Sequence, residues 1–159
     1  MLRIGLMSSK IGELLLKKGL ITAEQKANAE KTKVQYNNQM STALVKLEYI
    51  SESDLADVIA NRFKLKKVDV TDIEIEPEVL KYIPVHFATT KNVLPLELVG
   101  EKSLVVAMSD PSRIDVINDL KFSTGKTIAV VVAEDTKLTK AINSVFQENV
   151  SYDDIIGGY

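Results

Sequence analysis

The sequence predicts an α+β protein: an N-terminal bundle of repeated helices, then a small mixed β-sheet packed with helices in the order β-β-α-β-α. Three observations carry that expectation. Two helix-starting signals, Thr22-Ala23-Glu24-Gln25 and Ser51-Glu52-Ser53-Asp54, stand 29 positions apart. Short apolar runs bounded by turn residues replace the helical pattern after Lys64. A composition of 45% hydrophobic and 26% charged residues, with seven glycines and four prolines, is that of an ordinary globular chain with enough apolar material for a core.

The first helix is drawn by Ile11, Leu14, Leu15 and Leu16, an apolar stripe at helical spacing that Gly19 closes. Thr22 opens the second as a capping box. Its hydroxyl can accept from the third helical amide while Gln25 reaches back to the cap amide, and the helix is expected to run to about Asn37. Ser51 repeats the arrangement, and Leu55, Val58, Ile59 and Phe63 continue at i, i+3, i+4 and i+8. A slide of 29 positions pairs Ile11 with Met40, Leu15 with Leu44, Ile21 with Ile50 and Thr22 with Ser51. Residues 1–63 therefore read as a degenerate tandem repeat whose units bury their apolar faces against one another.

A second unit is expected over 64–148. Val68-Asp69-Val70 alternates as a short strand would, Glu76-Pro77 opens a helix, and Ile83-Pro84 closes it. Val93–Val99 and Ser103–Met108 form a hairpin about Gly100-Glu101. Asp110-Pro111 caps a helix carried by Ile114, Ile117, Leu120 and Phe122 and stopped by Gly125. Ile128–Val132 is a buried strand, and a last helix spans about Asp135 to Gln147. Residues 149–159, Ser151-Tyr152-Asp153-Asp154 among them, read as a flexible tail or linker stub that could serve as a docking peptide.

The same numbers exclude function classes. A net charge of −2 and a pI near 5.5 argue against nucleic-acid binding, which needs a basic face to neutralise phosphates. Without cysteine there is no disulfide, thiolate zinc site, iron–sulfur cluster or cysteine nucleophile. The opening apolar run is too short for a secretory signal, and no stretch approaches the ~20 apolar residues of a membrane span. The expected setting is cytoplasmic, with the inner membrane reached only through a partner.

No residue pattern assembles an active site. Gly125-Lys126-Thr127 ends like a phosphate-binding loop, but Leu120 stands where the second glycine is required, and a helix precedes while a strand follows. It reads as a helix C-cap and strand entry. His86 is the single histidine and has no cysteine or second imidazole for a zinc set. The lysine run Lys64, Lys66, Lys67, like Lys17-Lys18, reads first as a solvated face at a helix end and second as a contact for an acidic protein or a ligand phosphate. The chain is thus expected to be no enzyme and to hold no metal.

Ile83-Pro84-Val85-His86-Phe87-Ala88, Val93-Leu94-Pro95-Leu96, Leu104-Val105-Val106-Ala107-Met108-Ser109-Asp110-Pro111 and Asp119-Leu120-Lys121-Phe122-Ser123-Thr124-Gly125-Lys126 occur in that order. With Ile11-Gly12-Glu13-Leu14-Leu15 and Gly19-Leu20-Ile21-Thr22 before them, they resemble the N-terminal domain of type II secretion and type IV pilus assembly ATPases. The resemblance implies a non-catalytic docking or regulatory module. Its partner would be the cytoplasmic domain of an inner-membrane platform protein, together with an ATPase motor if the module belongs to a longer chain. A free-standing adaptor of the same family is the other form it admits.

Some members of that family bind cyclic di-GMP through two consecutive motifs at the 29-residue offset found here. On the resemblance, Lys10, Ile11, Gly12, Leu15, Gly19, Met40 and Leu44 would be the ligand residues, and cyclic di-GMP the one cofactor to consider. Ile11, Gly12, Leu15, Gly19, Ala29, Leu44 and Leu55 agree with the motif, whereas Lys10 replaces an arginine, Lys26 a leucine and Lys33 a glutamine. In the second copy Gln39, Ser41, Glu48 and Arg62 stand where arginine, two glycines and glutamine are expected. A side chain at a glycine position blocks close approach to the backbone, and Glu48 adds negative charge near a dianion. Docking therefore stands ahead of ligand sensing.

Overall fold

A computed structural model describes the backbone of residues 2–157 and the side chains of residues 10–147. The chain divides into two compact units, Met1–Val58 and Ile59–Tyr159. The architecture is α+β, helices first and a three-stranded mixed sheet after them, as the sequence predicts.

The first unit contains α1 (Leu2–Lys17), α2 (Ala23–Thr32), a 3₁₀ turn (Lys33–Tyr36), α3 (Met40–Lys46) and the start of α4 (Glu52–Phe63). Gly19 closes α1 in a Schellman cap: its amide donates to Leu16 O and the Leu20 amide to Leu15 O, with Gly19 at φ +73. The Thr22 capping box forms in full, Gln25 N donating to Thr22 Oγ1 at 3.1 Å and Thr22 N to Gln25 Oε1 at 2.9 Å. At α4 the Ser51 hydroxyl accepts from Asp54 N at 3.1 Å, the cap expected of the second signal. The expected second helix ends early. Its α-helical part stops at Thr32, and Asn37 and Asn38 then take left-handed φ of 56° and 60°, a conformation asparagine tolerates. The unit is held by fully buried Leu15, Ala29, Met40, Ala43 and Leu44.

The second unit begins in the last turns of α4 and continues through α5 (Pro77–Leu80), α6 (Val85–Lys91), β1 (Val93–Val99), β2 (Ser103–Met108), α7 (Ile114–Thr124), β3 (Thr127–Val132) and α8 (Asp135–Gly157). Strands β1 and β2 pair antiparallel about the expected hairpin turn, and β3 lies parallel to β2, giving the order β1-β2-β3. A bulge at Leu96 beside Pro95 breaks the β1 register, in keeping with a proline-bearing strand at a sheet edge. The core is the sheet's Leu94, Leu104, Val106 and Met108 against Leu120 of α7 and Leu138 and Ile142 of α8.

Four local expectations are corrected. Val68–Val70 is not a strand: a single bridge, Lys67 with Val132, touches β3 before the chain turns at Asp72, φ +55. Pro84 does not simply close a helix but is the N-cap of α6, because its fixed φ near −59° suits the residue that leads into a new helix. Asp110 does not cap α7, which starts at Ile114 behind Arg113; Asp110 Oδ1 instead accepts from Ser112 N at 3.0 Å in a turn ahead of it. The last helix is assigned to Gly157 rather than Gln147. The side chains of 149–159, on which the docking-peptide reading rests, lie outside the described residues.

Candidate functional site

The residues singled out in the repeat meet at the crossing of α1 and α3. Ile11, Leu15, Met40 and Leu44 are each 2% exposed or less and form the unit's interior. Gly12 lies at the contact itself. A methyl added there would sit 3.0 Å from Met40 Cε and 3.4 Å from Lys26 Cε, so α1 seats closely against Met40 and a side chain at this position would press on it. Lys26 lays its aliphatic stem over Gly12. Lys10 and Gly19 are exposed and stand apart from this interior.

Gly19 owes its place to backbone conformation, since nothing lies within 4 Å of a Cβ built on it. The second copy repeats its cap without glycine. Glu48 N donates to Val45 O, Tyr49 N to Leu44 O, and Glu48 takes φ +61. Two other replaced positions are engaged locally: Lys33 Nζ pairs with Glu30 at 3.0 Å, and Gln39 Oε1 accepts from Thr42 Oγ1 at 3.1 Å. An open concavity of about 400 Å³ lies on the other side of α2, lined by Glu24, Gln25, Ala27, Asn28, Lys31 and Tyr49. Asn28 donates to the Tyr49 hydroxyl at 2.6 Å there.

The second unit carries a polar cluster where β2 and β3 end and β1 begins. Asp135 Oδ1, at the first turn of α8, accepts from Asn92 Nδ2 and Ser109 Oγ, both at 2.8 Å, and Thr139 Oγ1 donates to Asn92 Oδ1 at 3.1 Å. Asn92 reaches this point from a left-handed C-cap of α6, φ +54. Nearby, Asp69 Oδ1 accepts from Thr71 N at 2.9 Å, and that turn, with Lys137 and Lys67 adding positive charge, holds its carboxyl below the usual value. Lys137, hydrogen-bonded to Glu134 and 3.9 Å from Asp69, is held above the usual lysine value. All of these groups sit in ordinary structural bonds. Among the described residues no three His, Asp or Glu side chains gather as a metal set. His86 is exposed on α6. Gly125, φ +68, is the C-cap of α7, and Thr127 begins β3.

No helix among the described residues is long and apolar enough to cross a membrane. The MshEN domain profile matches residues 61–151, more than half the chain and nearly all of the second unit. The chain belongs to the MshEN domain family. Its curated relatives include the type IV pilus assembly ATPase PilB of Myxococcus xanthus, 36% identical over 152 residues, which are 95% of this chain and 27% of that protein. PilB of Pseudomonas aeruginosa is 34% identical over 125 residues, 74% of this chain and 22% of that protein. The chain thus spans about a quarter of the length of these relatives. Among solved structures, that of MshE with cdg superposes at TM-score 0.72 and 20% identity, covering 85% of this chain and 97% of that one. The N-terminal domain of XpsE superposes at 0.69 in one crystal form, also at 20% identity, covering 85% and 92%. These two superpositions show that the chain shares the fold of those proteins.

Sequence reasoning found the α1–α3 residues but not Lys26 as the cover of Gly12. Its signal was available, since a lysine stem at a leucine position keeps the apolar contact and moves a charge outward. Gly19 closes α1 as expected, and the Glu48 position, read only as a place where glycine would admit a ligand, is the equivalent helix end with positive φ.

Proposed function

We propose that this MshEN domain is a non-catalytic docking and regulatory module of a type IV pilus or type II secretion assembly ATPase, working in the cytoplasm against the cytoplasmic part of an inner-membrane platform protein. The observation that carries the reading is the alignment of 95% of the chain with a quarter of a pilus assembly ATPase. Among the described residues Thr22 and Gln25 are used in a helix cap and Asp135, Asn92 and Ser109 in a cluster that ties α8 to the sheet, an arrangement suited to a segment that holds a partner. The motor would lie elsewhere in such a protein. Co-purification of the folded chain with the cytoplasmic fragment of a platform protein tests the proposal, and failure to bind any component of such a machine overturns it.

A second reading is favoured by the superposition on MshE with cdg: a cyclic di-GMP receptor using the repeat of the first unit. The residues fit in part. Ile11, Gly12, Leu15 and Leu44 keep the motif's apolar frame, and Lys10 offers an exposed cation. Against it stand Glu48 in a glycine position, an extra carboxylate where a dianion would approach, and the Lys26 stem over Gly12. A ligand that binds only the native state raises the melting temperature in proportion to ln(1 + [L]/Kd). Docking leads, so no melting shift and no binding heat are expected with excess cyclic di-GMP, and a saturable shift abolished by Lys10→Ala would reverse the order of the two readings.

A further inference from the structure

The edge of the sheet formed by β3 is half closed by the chain itself. Val132 turns its backbone away from β2: its amide donates to Lys66 O and its carbonyl accepts from Val68 N, both at 2.8 Å. The neighbouring odd-numbered residues face the other way, Thr127 N donating to Lys102 O and Ala133 N to Met108 O, at the two ends of the β2 pairing. Backbone groups alternate along a strand. Ile128 and Val130 therefore share the orientation of Val132, yet Lys66–Val68 reaches only Val132. Two amides and two carbonyls, those of Ile128 and Val130, are left on the outer edge without a backbone partner among the described residues. The side chains beside them are small or β-branched, with Thr127 and Ala129 exposed and Val130 and Val131 half-buried. Such an edge is a template for another strand.

What would pair with it is indicated by charge. The incoming segment has room only along residues 127–131 before it meets Lys66, and Lys64 and Lys66 stand exposed at that end. Lys126 precedes the other end of the strand, but its ammonium is engaged away from the edge, donating to Glu101 O and lying 5.5 Å from the Tyr82 ring. A second copy of this chain paired in parallel would bring Lys64 and Lys66 against their own counterparts, the use of lysine that keeps natural edges from self-pairing. We propose that β3 is the docking edge of this domain and that it takes an extended segment of another chain, with β-branched or small residues at its centre and carboxylates at the end that meets Lys64 and Lys66. This rests on the docking reading and names the surface and the chemistry of its partner.

The test uses the isotope-labelled chain and a synthetic peptide, Glu-Glu-Val-Thr-Val-Thr-Glu-Glu, with Lys-Lys-Val-Thr-Val-Thr-Lys-Lys as comparison. The amides of Ile128 and Val130 are expected to exchange fast in the free chain and to slow on adding the acidic peptide, with the lysine peptide about tenfold weaker. Lys66→Glu, a substitution at an exposed position outside the core, should narrow that preference without altering the melting temperature. Val130→Pro removes an outward amide and should abolish protection at Ile128. The proposal is overturned if those amides are already protected in the free chain, if peptide shifts fall elsewhere or do not occur, or if the chain dimerises through β3. Binding of a platform-protein fragment that leaves Ile128 and Val130 unchanged would sink the edge while leaving docking intact.

Discussion

Gly19 and Glu48 occupy the same left-handed position in two copies of one helix cap, at φ +73 and +61, with equivalent bonds to Leu16 and Leu15 in one and Val45 and Leu44 in the other. Glycine adopts that conformation freely, whereas a residue with a Cβ is strained there by about 1 kcal/mol. Glu48→Gly is expected to stabilise the chain by about that amount, and Gly19→Ala to destabilise it similarly. Urea unfolding at unchanged m-value measures both.

The contact between Gly12 and Met40 sets a sign that depends on the partner. Alanine in a helix interior is favoured over glycine by about 1 kcal/mol, but here its methyl would press on Met40 Cε at 3.0 Å. Gly12→Ala alone is expected to destabilise by about 1 kcal/mol. In a Met40→Ala background, where the obstruction is gone, the same change should stabilise. The four melting curves of that cycle decide it.

At the end of the sheet, Asp135 joins the start of α8 to Asn92 and Ser109. Asp135→Ala should cost about 1–2 kcal/mol, since two bonds to one carboxylate are lost at a position open to water. Asn92→Ala and Asp135→Ala are expected to be less than additive, because each breaks the bond they share.

Asp69 supplies a pH dependence. Its folded value is lowered, chiefly by the Thr71 hydrogen bonds, so it stabilises the fold above its unfolded value and that contribution is lost as pH falls through the folded one. The stability gap between the parent chain and Asp69→Asn should therefore be present at pH 6 and close below the usual carboxylate value of 3.8. A gap that widened on acidification would refute the assignment.

What the sequence disclosed was whatever local chemistry determines. The 29-residue offset, the Thr22 box, the hairpin and the Gly125 stop are written in neighbouring residues. What it hid depends on distant ones. The parallel pairing of β3 with β2 has no local signature, and Val68–Val70 alternates like a strand yet meets β3 at one bridge only. Helix α6, Val85–Lys91, was lost because Pro84 ends one segment and starts the next. In the candidate site the apolar frame was legible, but Met40 and Lys26 over Gly12 became visible only once α1, α2 and α3 were packed.

The mixed sheet also fixes an order in time. Strands β1 and β2 are joined by a short turn and can pair within microseconds, but β3 meets β2 only after the whole of α7 has closed the crossover. Its edge is thus expected to be the last part of the sheet to be made. Lys64 and Lys66 stand exposed beside that edge, so their joint replacement by neutral residues is expected to lower the yield of refolding at high concentration before it changes the stability of the finished fold.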